Sequence, residues 1–178
     1  MAGAGGRIVG IAVRDHLLGG RSGRPGLCAA IATAGTVSIH QLRRSISCLV
    51  QHKREMHALP RFDANRQLRH SAARHNSYML SFGCFSHQCG GELDLAGRVR
   101  ASGYLDGVSS FALGEDLGYE QSPGEMIRSW MHDRFHRGNI LSATLEDFGV
   151  TAAWGCPAPT LSTCADDATY TVNFGRRR

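Results

Sequence analysis

Helical and strand-like patterns occupy different parts of this 178-residue sequence, and their order limits the fold more than any other feature. Apolar residues recur every three or four positions between about residues 39 and 102, which predicts a run of helices. Further along, apolar residues alternate with others over Phe148–Trp154 and Tyr170–Phe174, which predicts two half-buried strands of an antiparallel hairpin. Helices first and strands last favour an α+β domain over a parallel βαβ sheet.

Three helices are predicted in the first part of the chain. The first covers about Ile39–His57 and the third about Glu92–Ser102. The second is expected to be capped by Asp63 and stopped by Gly83. Its apolar stripe consists of Leu68, Ala72, His75 and Met79.

The fourth helix has the clearest start signal, because Ser122-Pro123-Gly124-Glu125 is a capping box with proline at the first helical position. Positions three apart lie on neighbouring faces of a helix. Trp130, Asp133 and His136 are therefore expected to follow one side of this helix, with Trp130 anchored in the core. Arg137 is expected either to brace the following turn or to pair with a carboxylate.

Two histidines and two carboxylates form a candidate polar cleft, in the order His87, Glu115, Asp133 and His136. Glu115 is assigned to a glycine-rich loop that ends at Gly118. Neutral imidazoles with a carboxylate suit a divalent metal, most readily zinc. The alternative is that all four are ordinary hydrogen-bonding groups that secure loops to a helix end. His70 and His75, on the second helix, are interpreted as packing or surface groups.

Charge and motifs exclude several function classes. The formal net charge is +5, but four of the 20 basic residues and one of the 15 acidic residues lie in residues 1–34, which leaves +2 for the rest. Because no long basic run remains, nucleic-acid binding is not predicted. No apolar stretch approaches the roughly 20 residues needed to span a bilayer. The sequence also lacks a Gly-x-Ser-x-Gly elbow, a His-Glu-x-x-His helix and a phosphate loop.

Residues 1–34 are interpreted as a leader. Arg21 and Arg24 precede the short apolar run Leu27–Ala34, which ends in an Ala-x-Ala pattern. This arrangement predicts a signal peptide cleaved after Ala34, and therefore secretion. The alternative is a disordered N-terminal extension.

The six cysteines are only partly assignable from sequence. Cys156 and Cys164 flank the predicted hairpin loop, so a disulfide between them can close it. Cys28 lies in the leader, and Cys48, Cys84 and Cys89 then leave one unpaired thiol whichever two join. The absence of Cys-x-x-Cys argues against a zinc ribbon or a thioredoxin-like redox site.

Taken in order, these segments resemble the cysteine-rich secretory, antigen 5 and pathogenesis-related superfamily, also known as CAP or SCP domains, in its bacterial branch. The residues that carry the resemblance are Cys48 through Arg54, Ala58-Leu59-Pro60, Ala72 through Met79, Phe85-Ser86-His87, Arg98 through Tyr104, Gly114-Glu115-Asp116, Trp130 through Leu141, Phe148-Gly149-Val150 and Tyr170 through Gly175.

The resemblance implies a three-layer α-β-α sandwich with a mostly antiparallel sheet. The domain would cover residues 47–175, with residues 35–46 as a lead-in to the first helix and residues 176–178 as a basic tail. It also implies secretion and a central cleft lined by His87, Glu115, Asp133 and His136, which Asp116, Arg137 and Trp130 would support.

The sequence departs from the family pattern at several positions. Asp116 replaces the usual asparagine and adds a negative charge beside the cleft. Asp133 stands where relatives often carry Ser or Glu. Cys84 and Cys89 are not part of the usual pattern.

Three functions are compatible with this sequence. The first is binding of an extracellular protein, lipid or cell-envelope ligand without conventional turnover. The second is peptide-type hydrolysis that depends on zinc or another divalent metal: His87, His136 and Glu115 would hold the metal, and Glu115 or Asp133 would activate water. The third is lipid binding in an apolar groove between helices.

Overall fold

The computed structural model describes Cys28, residues 37–157, Cys164 and residues 166–178. Apart from Cys28, the predicted leader and its cleavage point lie outside these residues. The helices are α1 Ile39–Met56, α2 Arg66–Phe82, α3 Leu95–Ala101, α4 Pro123–His132 and α5 Arg134–Ile140. The strands are β1 Asp63–Ala64, β2 Phe111–Glu120, β3 Asp147–Trp154 and β4 Ala168–Arg177.

The four strands form one mixed sheet in the order β1-β3-β4-β2. β4 pairs antiparallel with both β2 and β3, and only the short β1 pairs parallel, with β3. The predicted β3–β4 hairpin and the mostly antiparallel sheet are therefore confirmed. Strand β2 lies at an edge, and its central residue Glu115 pairs with Asn173 of β4.

Helices cover both faces of the sheet, which confirms the α-β-α sandwich. One face of β4 joins the main core with α1 and α4, through residues such as Tyr170, Val172 and Phe174. The other face carries Thr169, Thr171 and Asn173, all fully buried. Because these polar residues hydrogen-bond to Asn76 and Ser71 of α2, the strand is buried on both sides. The prediction of half-buried strands was wrong for this reason.

Helix α2 starts and stops through local signals. Gly83 has the left-handed conformation, with φ 59°, and ends the helix as predicted. The start differs from the prediction, because the cap is Asn65 rather than Asp63. Asp63 instead pairs with Asp147 in the β1–β3 ladder. An added Cβ at Gly149 would lie 2.0 Å from the backbone nitrogen of Arg69, so this glycine allows β3 and α2 to pack closely.

The glycine-rich segment around Glu115 is a ten-residue strand, not a loop. Its glycines accommodate the helices that lie against it. An added Cβ would meet the side chain of Asn139 at 2.7 Å from Gly114 and that of Met126 at 2.3 Å from Gly118. The glycines therefore indicate close helix–strand packing rather than loop flexibility, and the loop prediction was wrong. The third helix is also shorter than predicted and begins after the cap Asp94.

The predicted fourth helix is interrupted at Asp133. Ser122 caps α4 as predicted, with its hydroxyl accepting from the Glu125 N–H at 3.2 Å. Asp133 has extended backbone angles, ends α4 and caps α5. The expectation that Trp130, Asp133 and His136 share one helix face was therefore wrong, because the Asp133 side chain accepts the first N–H groups of a new helix.

All six cysteines are paired, as Cys28–Cys48, Cys84–Cys89 and Cys156–Cys164. The bond across the β3–β4 loop is the predicted one. The expected unpaired thiol was wrong, because Cys28 pairs with Cys48 of α1. Cleavage after Ala34 would remove this partner of Cys48. Within the described residues, no helix has the length and apolar character needed to cross a membrane.

Candidate functional site

The first part of the site joins a loop to the edge strand. His87 lies between α2 and α3, and its Nδ1 is 3.0 Å from Oε1 of Glu115 in β2. The Glu115 side chain is 2 % exposed, whereas that of His87 is 62 % exposed. A buried carboxylate thus supports an imidazole that faces solvent.

The loop that carries His87 is held at several points. The Cys84–Cys89 disulfide closes it. Arg98 of α3 donates to the His87 carbonyl at 2.8 Å. The Phe85 ring packs edge-on against Tyr119 of β2, with the ring centroids 5.0 Å apart. These contacts fix the backbone around an otherwise exposed histidine.

Arg98 is a site residue that the sequence reasoning missed. Its guanidinium donates to Oε2 of Glu115 at 2.7 Å, and its side chain is 5 % exposed. Charge-assisted hydrogen bonds of this kind are stronger than neutral ones. Arg98 entered the sequence reasoning only as a marker of family resemblance. The signal available in the sequence was the position of Arg98 directly before the apolar residue Val99 in the predicted third helix.

His75 lies behind Glu115 and is completely buried, which agrees with a packing role and excludes a surface one. Its Nδ1 is 2.8 Å from Oε2 of Glu92, and its Nε2 is 3.9 Å from Oε1 of Glu115. With its amide nitrogen turned toward the site, Asn173 donates to Oε2 of Glu115 at 2.9 Å. The Glu115 carboxylate is therefore surrounded by polar partners from α2, α3, β4 and the His87 loop.

The second part of the site is local to the α4–α5 junction. Nδ1 of His136 is 3.2 Å from Oδ1 of Asp133. The same oxygen accepts the N–H groups of Phe135 at 2.8 Å and His136 at 3.1 Å. Both backbone hydrogen bonds lower the pKa of Asp133, and the bond from His136 has the larger effect. The Asp133 carboxylate therefore serves as the N-cap of α5.

The charge of His87, in the first part of the site, affects the pKa of His136 in the second part. Burial lowers the pKa of His136, Asp133 opposes that shift, and His87 lowers the pKa further. Among the described residues, no hydrogen bond or ion pair joins the His87–Glu115 pair to the Asp133–His136 pair. The structure thus places the four predicted residues in two separate pairs.

Asp116 faces away from Glu115, toward α5. It is fully buried, and its Oδ1 accepts from Asn139 at 2.8 Å, while Oδ2 has no hydrogen-bond partner. Burial raises the pKa of Asp116 well above its usual range, and the charge of Glu115 adds to this shift. This shift favours the neutral form more than in an exposed aspartate, which acts against the extra negative charge expected beside the cleft.

The other expected supports lie in α4 and α5. Trp130 is buried and donates through Nε1 to the Leu117 carbonyl at 2.9 Å, which ties α4 to β2. Arg137 donates to the Met131 carbonyl at 3.0 Å and so braces the turn, the first of its two predicted roles.

These residues do not fit a metal ion as they are arranged. Within the described parts of the chain, no group of three or more His, Cys, Asp or Glu side chains is placed to hold one. Both oxygens of Glu115 already have partners, and one of these is the Arg98 cation. A metal ion beside this guanidinium would be repelled by it.

Comparison with solved structures identifies the same fold in bacterial proteins. An outer surface protein of Borrelia burgdorferi is 13% identical with a TM-score of 0.65, over 82% of this chain and 100% of that one. An extracellular SCP-domain protein of Bacillus anthracis is 20% identical with a TM-score of 0.62, over 80% and 45%. A cysteine-rich secretory protein of Staphylococcus aureus is 16% identical with a TM-score of 0.56, over 78% and 40%. The chain thus spans less than half of the last two proteins.

Sequence comparison supports the same relationship. No match is found among curated proteins. The profile of the cysteine-rich secretory protein family, however, matches residues 41–173, which include every cleft residue described above. This match covers most of the chain, so the chain belongs to the cysteine-rich secretory protein (CAP) family.

Proposed function

We propose that this chain is a secreted CAP domain whose cleft binds an extracellular ligand or partner without turning over a substrate. The observation that carries the proposal is the burial and hydrogen bonding of the Glu115 side chain. Its buried carboxylate faces His87 at 3.0 Å and accepts from Arg98 at 2.7 Å. A carboxylate paired in this way is a fixed support for the imidazole and is poorly placed to take a proton from water.

The polar atoms left for a ligand are on the two histidines. Among the described residues, Nε2 of His87 and Nε2 of His136 have no hydrogen-bond partner. Phe85 and Phe135 lie close to the two histidines in sequence, and these residues are 44% and 68% exposed. Exposed aromatic residues are typical of interaction sites.

Two observations support secretion. Two disulfides, Cys84–Cys89 and Cys156–Cys164, lie outside the predicted leader, and disulfides form and persist in oxidising environments. The structurally similar proteins include an extracellular protein and an outer surface protein.

Zinc titration combined with a hydrolase screen tests the proposal. Zinc is titrated calorimetrically into metal-stripped protein at neutral pH, beside the variant His87→Ala/His136→Ala. The matched control is His70→Ala/His132→Ala, in which both histidines are exposed. We expect no micromolar zinc site in the cleft, and no turnover of peptide or ester substrates with or without zinc. A zinc site lost only in the cleft variant, with turnover lost in Glu115→Gln, would replace the proposal with a metallohydrolase.

Binding is tested through the imidazole NMR signals. Cell-envelope extracts and lipid vesicles are added to the intact protein, and the signals of His87 and His136 are compared with that of His70. Shifts confined to the two cleft histidines are expected from a true ligand. The absence of any such shift across protein, glycan and lipid fractions would contradict the proposal.

A further inference from the structure

A second cleft, lined by none of the site residues described above, lies where α1, the start of α2 and β3 meet. Its volume is about 220 Å³. Arg43 and Ser47 of α1 line one side, and Arg66 and Arg69 line another. Residues 148–150 of β3 form part of its wall. We call this feature the arginine pocket.

The arginine pocket holds three positive charges and no lining carboxylate. The Arg43 guanidinium lies 2.9 Å from Nδ1 of His40, and among the described residues its side chain has no ion pair with a carboxylate. Within the described residues, the side chains of Arg66 and Arg69 have no hydrogen bond or ion pair. By contrast, Arg61 and Arg128 each have a glutamate within 4.0 Å. Three guanidinium groups around one cavity repel each other, and an anion between them would offset that repulsion.

The acidic residues nearest in sequence do not neutralise the pocket. Asp63 precedes the lining residue Ala64 in β1, and successive side chains of a strand point to opposite faces. Asp147, its partner in the ladder, accepts from the Tyr104 hydroxyl at 2.6 Å. Among the described residues, neither carboxylate forms an ion pair with the three arginines or lines the pocket.

The donors of the pocket suit a phosphate group. Guanidinium groups bind phosphate oxygens through two parallel N–H bonds. The Ser47 hydroxyl is a further donor. Oδ1 of Asn65 already accepts the N–H groups of Gln67 and Leu68, at 2.9 and 3.1 Å, which leaves its Nδ2 as a donor. Because this cap satisfies those helix N–H groups, recognition would depend on side chains rather than on the helix end.

We infer that the arginine pocket binds a phosphate ester, either a free molecule or the phosphate of an anionic lipid headgroup. The apolar walls at Ala64 and Phe148 would accommodate the carbon part of the ester. This inference does not depend on the proposed function of the cleft, because the pocket shares none of the cleft residues.

Calorimetric titration with inorganic phosphate and glycerol phosphate, and flotation with phosphatidylglycerol vesicles, test the inference on the intact chain. The pocket variant is Arg43→Gln/Arg66→Gln/Arg69→Gln. The control Arg61→Gln/Arg100→Gln/Arg128→Gln removes the same charge from exposed arginines elsewhere. We expect affinity at least about tenfold weaker in the pocket variant and nearly unchanged in the control. Arg66→Gln alone, with a smaller loss, serves if the triple variant fails to fold.

The outcomes separate the two sources of phosphate. Binding of the small esters that is lost in the pocket variant supports a free ligand. Binding only to phosphatidylglycerol vesicles and not to phosphatidylcholine vesicles, lost in the same variant, supports a lipid headgroup. Equal losses in the pocket and control variants would show general charge attraction and overturn the inference. The absence of binding to all three probes would also overturn it.

Discussion

The two acid–histidine pairs of the cleft are constructed in opposite ways. Glu115 and His87 are 28 residues apart, and the carboxylate is buried among groups from several elements. Asp133 and His136 are three residues apart, and the Asp133 side chain is 46% exposed. The first pair depends on the packing of the whole domain, whereas the second depends mainly on how one short helix begins. The comparison predicts that mutations will affect the two pairs very differently.

Removal of Arg98 should have the largest effect. Arg98→Ala leaves the buried carboxylate of Glu115 without its cation, and breaking a buried ion pair typically costs about 3–5 kcal/mol. Urea unfolding measures this change in the free energy of unfolding. Arg98→Ala/Glu115→Gln should recover part of the loss, because it removes the uncompensated charge. A loss below about 1 kcal/mol for the single variant would contradict the buried-pair description.

Removal of the Cys84–Cys89 disulfide should have the next largest effect. The double variant Cys84→Ser/Cys89→Ser should lose about 2 kcal/mol, because the closed loop is short. It should also free the loop that carries His87, so that the imidazole NMR signal of His87 changes while that of His136 changes little. Cys156→Ser/Cys164→Ser is the matched control. Equal changes at His87 in both variants would show that the disulfide does not position this histidine.

Loss of the α5 cap should have a smaller effect. Asp133→Ala removes the acceptor of two backbone N–H groups, so thermal unfolding should occur at a lower temperature, although less so than in Arg98→Ala. Asp133→Ser can still cap the helix and should restore most of the stability. If serine does no better than alanine, the contact with His136 matters more than the cap.

Asp116 should make stability depend on pH with the opposite sign to an ordinary paired carboxylate. Its pKa is raised in the folded state by burial, so the folded protein holds this proton more tightly than the unfolded chain. Stability is therefore lost as pH rises above the ordinary value of 3.8 toward the folded pKa. Asp116→Asn should differ little from the parent at acidic pH and become relatively more stable as pH rises. Urea unfolding at several pH values checks this, and parallel curves would contradict it.

Much of the local structure was predictable from the sequence. The buried stripe of α2 and its end at Gly83, the start of α4 at Ser122, and the β3–β4 hairpin were all predicted correctly. These features depend on periodicity and on residues that are neighbours in the chain. The Cys156–Cys164 bond was predictable for the same reason.

The errors concern features whose cause lies in a distant segment. The polar alternation of β4 suggested an exposed face, but α2 supplies hydrogen-bond partners that bury Thr171. The glycines of β2 suggested a loop, but they make room for Asn139 and Met126. Cys48, Cys84 and Cys89 were expected to leave one unpaired thiol, but Cys48 pairs with the distant Cys28. None of these partners is a neighbour in sequence.

The sequence by itself determined the family, the class of the fold, the end of α2 at Gly83, the start of α4 at Ser122 and the four residues around which the candidate cleft was predicted. Only the tertiary structure decided that Glu115 is buried between Arg98 and His87, that His75 lies behind it, and that Asp133 caps a new helix. The physical reason is that caps and periodicity act over a few residues. The burial and charge of a carboxylate, in contrast, depend on which distant side chains the packed helices and sheet bring against it.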